Sequence, residues 1–250
     1  MGQFAGKRCI VTGGSRGLGR AIACALAREG ARVAFTFRRN QGDADESLAT
    51  MTLIAETSGG AARMFRGSVA DSAHVREVVD TLTRDWGGVD ILVNNAGTTQ
   101  IVPIALLDEA DWDEVMDSHV KGAYLFSRAV LKSMIRARGG HILSIGSFAS
   151  ERIIESPVHY AAAKSALRGF TEALAREVGR YGIHVNLLAP GLLDIGLGRM
   201  LLPHRIQEYV SQSALGRVGT ARELAEFALF LLSEPSSFMS GAKVVVDGGI

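Results

Sequence analysis

The chain has little cysteine, no excess of either charge and no long apolar run. Its two cysteines, Cys9 and Cys24, fall in a strand-like and a helix-like apolar stretch. They read as small core residues, in no metal-ligand spacing, which excludes a disulfide scaffold and suits a reducing compartment. Basic residues number 27 and acidic residues 26, so the charge balance points neither to nucleic acid nor to a membrane surface. No apolar run approaches the ~18 residues of a membrane span. The opening MGQFAGKRCIVTGG has no h-region and no cleavage site, and Gly6 stands where a myristoylation signal has Ser or Thr. A soluble cytoplasmic protein is expected. Linkers, internal repeats and low-complexity segments are also lacking.

What is present is 47% hydrophobic residues in a chain of 250, enough for one large core of the α/β kind. Short apolar runs alternate with helical patterns. Strands are expected at 8–12, 32–37, 62–67, 90–97, 141–147, 184–189 and 242–249. Helices are expected at 17–30, 43–57, 72–87, 110–140 (one or two), 157–181 and 221–234. Strand, helix, strand, repeated, predicts parallel strands joined by crossovers, with helices on both faces. Only 191–219 shows no clear element, and a long loop in a compact domain is usually functional; here a substrate lid is expected.

The first strand runs into TGGSRGLG, residues 12–19. Gly13, Gly17 and Gly19 let an anion approach the backbone, and the helix start offers unpaired N–H groups and a positive dipole end. The spacing is neither of the two standard phosphate-loop patterns, so the turn gains its meaning from its place at the first strand–helix junction. NAD-type sites carry an acid at the end of strand two. Here that end is FTFRRN, with Arg38 and Arg39, and Arg16 lies in the glycine loop. Guanidiniums near a ribose 2′-phosphate suit NADP(H) rather than NAD(H), though Arg38 and Arg39 also fit as solvated turn charges.

VHYAAAKSALRGF, residues 158–170, places Tyr160 and Lys164 four apart on one helix face. An ammonium beside a phenol favours phenolate and brings the hydroxyl toward a proton-transfer role. Ser147, thirteen positions before Tyr160, ends strand five and offers a hydroxyl to a carbonyl oxygen. Taken alone, the tyrosine could simply pack and the lysine snorkel.

Together, TGGSRGLG, NNAG (94–97), Ser147, YAAAK (160–164), APG (189–191) and VDGG (246–249) resemble the short-chain dehydrogenase/reductase family over essentially the whole chain. The resemblance implies a single Rossmann-type, doubly wound α/β domain over 1–250 with a seven-stranded parallel sheet, and hydride transfer with a nicotinamide cofactor. It implies that Tyr160 is the acid/base, Ser147 orients the substrate oxygen, and Lys164 binds the nicotinamide ribose and lowers the tyrosine pKa. Cofactor contacts carried over the same way are Gly13, Ser15, Arg16, Gly17, Leu18, Gly19, Arg38, Ser68, Val69, Asn94, Asn95, Ala96, Gly97, Pro190 and Gly191, with Tyr160 and Lys164.

Three positions depart from the family pattern. His119 stands where an Asn usually holds a relay water; imidazole could keep the relay, with more pH dependence, or the relay could fail. Ile195 replaces a Thr that contacts the nicotinamide amide. Ser68 replaces the Asp of an Asp-Val pair beside adenine.

For substrate, Leu197, Met200, Leu201 and Leu202 of the lid and Phe148, Ile153 and Ile154 before Tyr160 offer an apolar wall. The chain is most similar to the 3-oxoacyl-carrier-protein reductases of the family. That similarity implies NADPH, a fatty acid or polyketide type of acyl substrate on a carrier protein, docking at Lys132, Arg136, Arg168 and Arg176, and a homotetramer. Two other readings stay open: an oxidoreductase of free small ketones or alcohols, and a nucleotide-binding scaffold whose catalysis is lost at His119.

Overall fold

The computed structural model describes residues 2–250, apart from the side chain of Leu197. Seven parallel strands form one sheet in the order β3-β2-β1-β4-β5-β6-β7. They are β1 (Arg8–Val11), β2 (Arg32–Phe37), β3 (Ala61–Arg66), β4 (Ile91–Asn94), β5 (Gly140–Ile145), β6 (Ile183–Pro190) and β7 (Lys243–Val246). The chain starts in the middle, builds outward to β3, then crosses back to β4 beside β1. That reversal leaves a crevice at the carboxyl ends of β1 and β4, where doubly wound sheets bind ligands.

Eight α-helices cover the sheet: α1 (Gly17–Arg28), α2 (Gln41–Ser58), α3 (Ser72–Trp86), α4 (Glu109–Met116), α5 (Gly122–Ala137), α6 (Val158–Val178), α7 (Pro203–Gln212) and α8 (Ala221–Leu231). Strand residues alternate between two cores because successive side chains point to opposite faces. Cys9, Val11, Val33, Phe35 and Val93 pack under α1, α2 and α8. Ile10, Ala34, Leu92, Ile142 and Val185 pack under α3, α5 and α6. Burial on both faces explains why these strands read as continuous apolar runs rather than alternating ones.

The central pair β1–β4 has three registered positions, Cys9 with Ile91, Ile10 with Leu92 and Val11 with Val93. Polar groups fasten both ends. Arg8 donates through Nε and Nη2 to Asp90, at 2.7 and 2.5 Å. At the crevice end the buried Thr12 hydroxyl accepts from the N–H groups of Asn95 and Ala96, each at 3.0 Å.

Two expected elements differ. The long helix at 110–140 is interrupted by a π-turn over Asp117–Lys121, where the Gly122 N–H donates to the Asp117 carbonyl five residues back. The segment 191–219 is not an unstructured loop. Leu193 bridges to Gly219 at its base, a short 3-10 turn spans Gly196–Met200, and α7 fills much of the rest. Proline at the start of PHRIQEYVSQ suits a helix first turn, since its missing N–H would have had no partner there. No helix among the described residues is long and apolar enough to cross a membrane.

Candidate active site

The site is built at the carboxyl ends of β1, β4, β5 and β6. Gly13 and Gly17 adopt φ of 65° and 58°, a region open to glycine at no steric cost. A side chain on Gly13 would press on Ala96, and one on Gly19 on the Gly13 carbonyl. Asn95 ties this turn to the sheet by donating to the Thr12 and Gly13 carbonyls at 2.9 and 3.1 Å. The helices α2, α3 and α8 start with side-chain caps on Asn40, Asp71 and Thr220. The helix α1 starts at Arg16 without one, as do α4, α6 and α7. Its first N–H groups, beside a backbone without side chains, fit a pyrophosphate.

Around that cradle Ser15 and Leu18 are buried and Arg16 is exposed. Arg38 and Arg39 follow β2 directly, and both donate to one carboxylate oxygen of Glu114, at 2.6 and 2.7 Å. Ser68 accepts from the Ala70 N–H at 3.3 Å. Val69 is buried against Gly122. Asn94 is buried and donates to Ser127 at 3.1 Å. Pro190 ends β6, and a side chain on Gly191 would strike Tyr209 and Asp247. Ile195 reaches over the glycine loop, its Cδ1 at 3.7 Å from where a Gly17 side chain would begin.

The chemistry sits opposite. Lys164 is 4% exposed, and its Nζ donates to the Ile145 carbonyl at 2.6 Å. It lies 5.5 Å from the Tyr160 ring centre, as the four-residue spacing on α6 requires. Burial lowers the ammonium pKa from 10.5 to about 7. Tyr160 is half-buried on the cleft wall, and burial raises its phenol pKa while a hydrogen bond with Ser147 pulls the other way. Desolvation is thus the largest influence on both groups. Ser147 is buried at the end of β5, accepting from the Ala149 N–H at 3.2 Å.

His119 is buried in the π-turn, edge-on to Tyr160 with ring centres 5.5 Å apart. Gly97 makes room for it, since any side chain there would occupy the imidazole. His119 Nε2 lies 2.8 Å from the Thr98 carbonyl. A carbonyl only accepts, so Nε2 carries the hydrogen and Nδ1 presents a lone pair. That Nδ1 is buried without a partner. Burial, then the nearby Lys164 charge, holds the pKa well below 6.5. That direction favours the neutral imidazole.

Beside it, His159 is buried with Nε2 at 3.2 Å from the Gln100 side-chain oxygen. Gln100 in turn donates to Asp111 at 3.0 Å. Neither His159 nor Gln100 is marked by spacing in the sequence; only the fold joins them.

The apolar wall is partly assembled. Phe148 meets Tyr209 of α7 edge to face, with ring centres 5.5 Å apart, so the loop before Tyr160 touches the lid. Tyr209 also donates to the Asp247 carbonyl at 2.6 Å. Ile153, Met200 and Leu202 are exposed, Ile154 and Leu201 are intermediate, and the Leu197 side chain lies outside the described residues. Lys132, Arg136, Arg168 and Arg176 are all exposed. Arg168 is paired with Glu172 at 3.0 Å, and Arg176 borders a groove of about 330 Å³ with Glu172 and Ser240. Arg176 is sixteen residues beyond Tyr160 on α6, about 24 Å along the axis at ~1.5 Å per residue.

The fold is a doubly wound parallel sheet whose crevice brings Tyr160 and Lys164 together on one helix face. Residues 13–250 match a family model described as enoyl-(acyl carrier protein) reductase. The 3-oxoacyl-(acyl-carrier-protein) reductase FabG of Escherichia coli (strain K12) is 34% identical over 99% of this chain and 98% of its own length. FabG of Pseudomonas aeruginosa is 38% identical over 98% of this chain and 97% of its own. The crystal structure of a short chain dehydrogenase from Burkholderia cenocepacia J2315 in complex with NADP superposes with a TM-score of 0.89, at 34% identity over 99% of this chain and 98% of that one. The chain belongs to the short-chain dehydrogenase/reductase family.

Proposed function

We propose that this chain reduces a 3-oxoacyl thioester, carried on an acyl carrier protein, to the 3-hydroxyacyl form with NADPH. The observation that carries the reading is the grouping of Ser147, Tyr160 and buried Lys164 at the crevice edge, opposite an uncapped glycine-rich helix start. The curated relatives named above act on the carrier-bound substrate by name, and the Burkholderia neighbour binds NADP. The glycine cradle and α1 N–H groups suit the pyrophosphate; Arg16 and Arg38 suit the 2′-phosphate.

The nicotinamide, when bound, supplies a hydride to the substrate carbonyl carbon. The chain does the rest. Ser147 and Tyr160 hold the carbonyl oxygen between two hydroxyls and stabilise its developing charge. Tyr160, whose raised pKa keeps it protonated at neutral pH, donates its proton to that oxygen. Lys164 stabilises the resulting phenolate and returns a proton to it. The neutral His119 offers an Nδ1 acceptor lone pair where the resemblance places a relay, which supports an active enzyme over a scaffold. Phe148 and Tyr209 screen the acyl chain from solvent. Lys132, Arg136, Arg168 and Arg176 are the docking candidates, and a carrier seated at Arg176 must present its substrate on a long arm.

The test follows NADPH absorbance with a β-ketoacyl thioester, carrier-bound and free, against a free ketone and a 2-enoyl thioester. Oxidation with the β-ketoacyl substrates, reduced at least ~100-fold by Tyr160→Phe, is expected. Turnover of the enoyl thioester or the free ketone alone would replace this reading, and NADPH binding without any turnover would leave a scaffold.

A further inference from the structure

The crevice is spanned by an ion pair that engages Arg38, the side chain offered above to the 2′-phosphate. Arg38 and Arg39 leave the carboxyl end of β2, on one side of the crevice. Glu114 comes from α4, which follows β4 on the other side. One Glu114 oxygen takes both guanidiniums, at 2.6 and 2.7 Å. The two basic residues that follow β2, where NAD-type sites keep an acid, are therefore already satisfied by a carboxylate from across the gap. Glu114 is the more enclosed member, with its side chain 25% exposed against 52% for Arg38 and 70% for Arg39.

We infer that Glu114 is a cofactor-selecting clasp: it competes with the ribose 2′-phosphate for Arg38 and Arg39 and so limits how strongly the site prefers NADPH over NADH. The inference rests on the proposed use of NADPH. A 2′-phosphate needs the same guanidinium donors and is repelled by the carboxylate, so it binds only as the clasp opens. A ribose 2′-hydroxyl is a donor, which a carboxylate accepts without penalty. Exposed ion pairs are weak enough to open, so the clasp tempers selection rather than blocking the site.

The test measures dissociation constants of the full-length protein for NADPH and NADH by direct titration calorimetry, in wild type, Glu114→Gln, Glu114→Ala, Arg38→Ala and Arg38→Ala/Glu114→Gln. Both Glu114 variants are expected to bind NADPH about tenfold tighter, with NADH within about twofold, and Arg38→Ala is expected to cancel most of the gain. NADPH affinity within about twofold of wild type in both Glu114 variants, or weaker, overturns the clasp while leaving NADPH as the cofactor. A wild type that binds NADH but not NADPH overturns the cofactor reading, and the clasp with it.

Discussion

At the scale of single residues, the site is set by what burial does to charge. Lys164 is ordinarily protonated to 10.5, but in the folded chain its pKa is about 7. Between those values the unfolded chain holds the extra proton, so Lys164's contribution to stability rises with pH across that window and is least favourable below about 7. A ribose hydroxyl and nearby phosphates favour the ammonium, so NADPH binding at pH ~8 is expected to take up close to one proton. Calorimetry in two buffers of different ionisation heat reads this directly, and Lys164→Met should abolish it. His119 acts through one lone pair. His119→Asn is expected to keep kcat within about fivefold, whereas His119→Phe, which fills the space without an acceptor, should lose about 10- to 100-fold with little change in NADPH affinity. The pairing of Tyr160 with Lys164 was legible because four-residue spacing is a property of the helix itself. The direction of the Tyr160 shift was not, because it depends on which distant side chains exclude water. Glu114, Gln100 and His159 were silent for the same reason: each gains its partner from another element.

At the scale of elements, α7 and the π-turn are what the sequence left unread. The pattern of 191–219 mixes glycine, leucine and charge, and only the proline that opens α7 marks a helix start. The π-turn has no composition of its own; it arises where α4 and α5 each pack on α6 or the sheet and one extra residue must be absorbed. The tether between α7 and the chain end has a measurable role. Tyr209→Phe removes the hydroxyl bonded to the Asp247 carbonyl but keeps the ring against Phe148. It is expected to cost about 1 kcal/mol of stability, raise KM for the acyl substrate several-fold, and speed amide exchange across Pro203–Gln212. Equal KM in the two proteins would mean that α7 is fixed by other contacts.

At the scale of the molecule, alternation of strand and helix patterns was enough to expect a single doubly wound domain, because parallel strands need crossovers and crossovers need helices. What packs outside the chain is less visible. Phe230 and Phe238 are exposed, Phe238 fully, and Phe227 stands 5.8 Å from Phe230. We propose Phe238 as an interface residue of the homotetramer that the resemblance implies. Phe238→Asp is expected to lower the mass seen by sedimentation velocity, and an unchanged assembly would place the interface elsewhere.

The three-position pairing of β1 with β4 has a consequence of its own. The sheet's two windings, β3-β2-β1 and β4-β5-β6-β7, meet along that seam, which is one position shorter than the four-position joins of β1 with β2, β4 with β5 and β6 with β7. The crevice lies at the open end of that seam, and the groups nearest it come from both halves: the glycine turn and Arg38 from one, Gly97, Ser147, Tyr160 and Lys164 from the other. Neither half alone holds a site. A dinucleotide seated there would act as a stitch, holding together the two halves of the protein that receives it.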